Sequence, residues 1–181
     1  MGKLFFRITK SGAWVFPQDA LNKAEGQDEV VKYSSVSDIP GGLKADTVVL
    51  DLSPSLLDMR IIHLPFSDME KIREILPYEL QRFTLKKTED LVYDAVLLGK
   101  NASDGWNVLV VYLDSDYYNR VMKSLNEKGY DPEIVTSTEI VRAVQEGNLE
   151  QLEELGLEGD ELSAFNTLDS LIANKGKVFN L

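Results

Sequence analysis

The segment "VVYLDSD", Val110 to Asp116, ends an apolar run in an Asp-x-Asp pair. A strand that ends in such a pair resembles a magnesium-dependent phosphatase site, and that resemblance would make Asp114 the nucleophile on phosphorus and Asp116 the acid and base. Such phosphatase sites continue with Gly and Thr, which bring the backbone around the phosphate, whereas this chain continues with Tyr117 and Tyr118. The plainer expectation is that Asp114 or Ser115 caps a helix and that Asp116 complements its dipole. Asp51, in "VVLDLSPS", closes a second apolar run and is expected in a loop at a strand end. His63 is the only histidine and lies in an alternating segment without the partners that a metal site or a triad needs. No GxxxxGK[ST] or GxGxxG loop is present, and "PGGLKAD" has the wrong spacing to cradle phosphate. These residues predict a protein that is not an enzyme and that has no metal or cofactor site.

Composition narrows the classes further. The chain has 181 residues, 44% of them hydrophobic, enough to bury a core in one or two domains. Nineteen basic residues against thirty acidic ones give a net charge of −11, and the basic residues form no stripe that would track phosphates, so no nucleic acid partner is expected. The absence of cysteine excludes disulfides, zinc-thiolate sites and thiol catalysis. No stretch approaches the roughly 20 apolar residues of a membrane span. From Ala143 through Asn174 there is no Lys or Arg, and Glu150, Glu153, Glu154 and Glu158 belong to a dense acidic run. Such a run is ordinarily a solvated face, and one of a single sign would also steer a basic protein partner.

The elements that position these residues follow from periodicity. "KLFFRITKSGAWVFPQ" turns at Ser11 and Gly12 and predicts a hairpin, and "TVVLDLS" reads as a strand covered on both faces. "MRIIHLP" is a strand. Met69, Ile72, Leu76, Leu80 and Phe83 then recur on one helical face, with Ser67 as cap and Glu70 at the capping-box position. Pro77 removes a hydrogen bond to the Arg73 carbonyl, but the apolar spacing runs across it, which predicts a kink within one packed helix. "EDLVYDAVLLG" and "WNVLVVYLD" form a hairpin. A helix with Tyr117, Val121, Met122 and Leu125 inward and a stop at Gly129 comes next, and then a strand "PEIVTS". Strand, helix, strand, strand, helix, strand is the split order of ferredoxin-like units, with both helices on one face of a small sheet. Helices are expected around 138 to 146, 149 to 155 and 160 to 174, before a last strand "KVFNL".

The string from Arg60 to Gly99, with "LPF" leading into "LPYELQ", and the string from Val108 to Ile140, with its "LNEKGYDPEIV" turn, resemble the cytoplasmic part of type II secretion system protein L, the GspL family. More distantly they are similar to the actin-like pilus assembly protein PilM. The resemblance runs from about Leu4 to Leu181, where "VFNL" matches the return to the core strand. It implies an α/β fold: a partial actin-like (RNase H-like) core with an inserted ferredoxin-like subdomain. On that reading residues 1–58 begin the core, 59–137 form the insert, and 138–181 return to the core. L-type proteins are bitopic in the inner membrane. The resemblance therefore implies a location at the cytoplasmic face, with the membrane reached only through a segment outside this chain, which would be a truncated cytoplasmic domain. The partners it implies are the secretion ATPase, protein E, and platform proteins such as protein M, and it is compatible with a homodimer. Lys71, Glu79 and Arg82, on the outer side of the Pro77 helix, and Glu150, Glu153, Glu154 and Glu158 are the residues expected to touch partners. Actin-like nucleotide binders carry an Asp-x-Gly loop after the first strand. Here the turn is Lys10, Ser11 and Gly12, without the acidic anchor for a metal-bound triphosphate, so no nucleotide cofactor is expected. The alternatives are a PilM-like protein that binds ATP and a membrane-partner peptide, and a small phosphatase using Asp114 and Asp116.

Overall fold

The computed structural model describes residues 3–17, 30–148 and 179–181. The first hairpin forms as the sequence predicts, from β1 (Lys3–Thr9) and β2 (Gly12–Pro17), paired from Leu4 opposite Pro17 to Thr9 opposite Gly12. Gly12 is required at the turn because a Cβ there would lie 2.5 Å from the Tyr33 carbonyl oxygen. That close approach belongs to β3 (Val31–Tyr33), a short strand that adds to β2 and that the polar composition of its surroundings concealed. On the other side β1 pairs in parallel with β4 (Thr47–Leu52). Both strands are buried on both faces, as interior strands of a covered sheet must be.

β5 (Asp58–Leu64), β6 (Leu91–Lys100) and β7 (Trp106–Asp114) make a separate antiparallel sheet in the order β5-β7-β6, with a register shift between Leu97 and Gly99. β8 (Ile134–Thr136) does not join it. It pairs in parallel with β4, completing a five-stranded sheet in the order β3-β2-β1-β4-β8. The small sheet thus holds three strands of the split order, and the fourth belongs to the large one. The ferredoxin-like expectation fails there because sequence order lists the strands without saying which edge each one meets.

Of the helices, α1 (Met69–Leu80) packs Ile72, Leu76 and Leu80 against Ile62, Leu64, Ala95, Val108 and Val110 on one face of the small sheet. It runs unbroken through Pro77, with Met69 and Phe83 half-buried at its ends, and the Thr88 hydroxyl donates to the Pro77 carbonyl at 3.2 Å. Asp68 caps it, accepting from the amides of Glu70 (3.0 Å) and Lys71 (3.4 Å), so the cap stands one residue later than the expected Ser67. α2 (Ser115–Asn126) lies on the other side of the small sheet. Its Val121 and Leu125 enter the main core between the sheets, with Leu4, Phe6, Ile8, Leu50 and Leu52 from the large sheet and Val96, Leu109, Val111 and Leu113 from the small one. The two helices therefore sandwich the small sheet, where the sequence order suggested one shared face. α3 (Thr138–Glu146) ends at Gly147 in the left-handed conformation (φ 70°). Residues 179–181 are not a regular strand, yet they dock along β8: Asn180 Oδ1 accepts from the Val135 amide at 2.7 Å, and the Leu181 amide donates to the Val135 carbonyl at 2.9 Å. The helices expected at 149 to 155 and 160 to 174 lie outside the described residues.

Candidate functional site: strand ends and the outer face of the first helix

In the parallel register Arg7 of β1 stands directly opposite Asp51 of β4. Both side chains are almost wholly removed from water, at 1% and 0% exposure. Arg7 donates to Asp51 Oδ2 at 3.0 Å and to Glu139 Oε1, in the first turn of α3, at 2.5 Å. The other Asp51 oxygen accepts from the Thr138 amide at 2.7 Å, so one carboxylate neutralises a buried cation and satisfies the start of a helix. Burial pushes the Asp51 carboxyl above its ordinary range, against the pull of Arg7 and the Thr138 amide. Asp51 was expected in a loop at the strand end. It lies instead inside β4 as a structural ion, with neither oxygen free for phosphorus or metal.

The Asp-x-Asp pair is also engaged structurally. Asp114 Oδ1 accepts from the amides of Asp116 (3.0 Å) and Tyr117 (3.3 Å), the expected N-cap, while Oδ2 pairs with Lys86. The Lys86 hydrogen bond, then the Tyr117 amide, hold the Asp114 carboxyl below the usual carboxylate range. A depressed folded-state pKa stabilises the fold above the unfolded value of about 3.9, and the contribution is lost as pH falls through the lower folded value. Asp114→Asn keeps the capping geometry and removes the charge. The variant is expected to be less stable than wild type near neutrality and to converge with it as pH is lowered past that window, as read from urea unfolding at several pH values. A stability gap that persists at low pH would mean that packing rather than charge sets it.

His63 is exposed, and its Nδ1 meets Asn107 Oδ1 at 2.6 Å. Among the described residues no cluster of three His, Asp or Glu side chains is placed to hold a metal ion.

The outer face of α1 gathers the other expected residues. Lys71 and Arg82 are exposed, and Glu79 receives two hydrogen bonds from Arg82 Nη1, at 3.0 and 3.1 Å. The helix is anchored by Arg73, whose guanidinium grips both oxygens of Asp94 on β6 at 2.9 and 3.4 Å. Asp94 Oδ2 also accepts from the Asn180 amide at 3.0 Å, so the last described residues and α1 share one carboxylate. Two residues on this surface were missed by sequence reasoning. Tyr78 is 71% exposed and Leu85 is fully exposed just past the helix. The signal for Tyr78 was available: it stands seven residues after Lys71 and four before Arg82, on the face opposite the apolar stripe. Tyr and Arg are the residue types that most often anchor protein interfaces. Glu150, Glu153, Glu154 and Glu158 lie outside the described residues. No described helix is long and apolar enough to cross a membrane.

No family model matches the chain, and no curated protein matches it. Among solved structures it is similar to the cytoplasmic domain of EpsL, an inner membrane component of the type II secretion system of Vibrio cholerae. That match has 18% identity and a TM-score of 0.51, and covers 78% of this chain and 59% of that one. It is also similar to a chain of the PilM-PilN type IV pilus biogenesis complex, at 15% identity and a TM-score of 0.55, covering 78% of this chain and 48% of that one. The chain thus spans roughly half of each. At these identities the likeness is one of fold, and it falls on the same two kinds of protein as the resemblance in the sequence.

Proposed function

We propose that this chain is a non-enzymatic scaffold of an inner-membrane platform of the secretion or pilus-assembly kind, and that it recruits the secretion ATPase, protein E, by protein contacts at the cytoplasmic face of the membrane. Platform proteins such as protein M are its further partners. The observation that carries this reading lies at the strand ends. In an actin-like α/β fold the β1–β2 turn offers Lys10, Ser11 and Gly12 with no carboxylate, and Asp51, the buried acid on the neighbouring strand β4, is occupied by Arg7 and Thr138. The outer face of α1, with Lys71, Tyr78 and Arg82 in line, is the surface assigned to the ATPase.

Calorimetric titration with the N-terminal domain of the secretion ATPase from the same organism tests this. Saturable binding that weakens at higher salt is expected, with no heat from magnesium-ATP in the control. Likeness to the PilM-PilN complex favours a second reading, a PilM-like protein that binds ATP and a membrane-partner peptide. Clear nucleotide binding without ATPase binding would replace the first reading by the second.

A further inference from the structure

The turn that joins β6 to β7 holds the only Asp-Gly pair of the chain, Asp104–Gly105, and the chain has no Asn-Gly. Such a pair is prone to isomerise, because a glycine amide has no side chain to shield it from the carboxyl group of the aspartate before it. Packing fixes the glycine here. A Cβ on Gly105 would stand 3.0 Å from the Leu64 carbonyl oxygen and 3.1 Å from Asn101 Nδ2, so a larger residue would have to push the end of β5 or the Asn101 side chain aside. Asp104 has a positive φ of 62°, alone in this among the described non-glycine residues, in a conformation that Asp tolerates better than most. Its side chain is 92% exposed, so water has free access to it.

One side chain organises this turn. Asn101 Oδ1 accepts from the amides of Ser103 at 3.0 Å and Gly105 at 2.9 Å, and the Asn101 amide donates to the Gly105 carbonyl at 2.9 Å. Both backbone polar groups of Gly105 are therefore tied to residue 101. The Lys100 ammonium lies 3.5 Å from Asp104 Oδ1, which gives the carboxylate a partner outside its own backbone. Isomerisation needs the opposite arrangement. The Gly105 nitrogen must give up its proton and bond to Asp104 Cγ, while the hydroxyl of the protonated carboxyl group leaves with a proton as water and a five-membered cyclic imide closes. Water then opens the imide at either carbonyl, which restores aspartate or leaves isoaspartate with the main chain one carbon longer.

We infer that Asp104–Gly105 is a latent isomerisation site of this chain and that Asn101 guards it. The nitrogen that would attack has its N–H committed to Asn101 Oδ1, and turning it onto Cγ breaks that bond together with the closure of the turn. The guard also protects the hairpin. An extra main-chain carbon after Asp104 would carry the Gly105 carbonyl away from the Asn101 amide and open the pairing of Lys100 with Trp106, where the β6–β7 ladder meets the turn. The inference does not depend on the scaffold reading, since it concerns the covalent chemistry of one turn.

Wild type, Asn101→Ala, Asn101→Asp and, as a blank that does not readily form the imide, Asp104→Glu are to be incubated for several weeks at neutral pH and body temperature. Isoaspartate at residue 104 is read by peptide mapping and by an isoaspartyl-specific methyltransferase, with wild type unfolded in guanidinium chloride as the unguarded reference. Isoaspartate is expected to form about tenfold faster in Asn101→Ala than in wild type. Asn101→Asp keeps the accepting oxygen and should stay close to wild type, and the unfolded chain should react at least as fast as Asn101→Ala. The inference is overturned if Asn101→Ala reacts no faster than wild type, if Asn101→Asp reacts as fast as Asn101→Ala, or if folded wild type reacts as fast as the unfolded chain. The last comparison needs no substitution, so it decides the matter even where circular dichroism shows that Asn101→Ala does not fold.

Discussion

Arg7→Met is expected to destabilise the fold by about 3–5 kcal/mol, the usual cost of breaking a buried ion pair from one side. The reason is what remains. Asp51 is fully buried, and Arg7 is its only cationic partner among the described residues, so the variant leaves a carboxylate in the core facing a single amide. Glu139 suffers less, because its side chain is 12% exposed and can turn toward water. Arg7→Met combined with Asp51→Leu should recover a large part of the loss, since an apolar pair needs no compensating charge. Urea unfolding of the two single variants and the double variant reads the coupling directly. A loss below about 1 kcal/mol for Arg7→Met would mean that water reaches Asp51 and that the network is not the buried structural ion described above.

The second large effect separates the two faces of α1. Leu76 is 1% exposed in the satellite core with Ile72 and Leu80, so Leu76→Ala is expected to cost about 2–5 kcal/mol through lost burial and the cavity left behind. Tyr78, two residues on, should change stability by no more than about 0.5 kcal/mol when truncated. Under the scaffold proposal, however, Tyr78→Ala should weaken ATPase binding about thirtyfold, the scale of an interface anchor. Thermal unfolding and the binding titration together give both numbers for both variants. If Tyr78→Ala leaves binding intact while the ATPase still binds, the docking surface lies elsewhere and the assignment to α1 is wrong.

Local patterns were readable because they are written within a few residues. The β1–β2 hairpin, the interior strand β4, the β6–β7 hairpin and the apolar stripe of α1 each follow from alternation or from three- and four-residue spacing. Helix caps were legible as a class but not to the residue, since Ser67 and Asp68 are both good caps and only the path of the chain out of β5 selects Asp68. β3 escaped because a three-residue edge strand carries too little pattern to stand out from a polar loop.

By itself the sequence determined the buried face of α1, the absence of cysteine chemistry, and the lack of a carboxylate in the first turn, because each depends on residue type and short-range period alone. Only the tertiary structure decided that β8 joins β4, that α2 lies between the sheets, and that Arg7 meets Asp51 across 44 residues of chain. The reason is that strand pairing and burial of charge are settled by which surfaces exclude water together, and neighbours in sequence do not specify neighbours across a sheet.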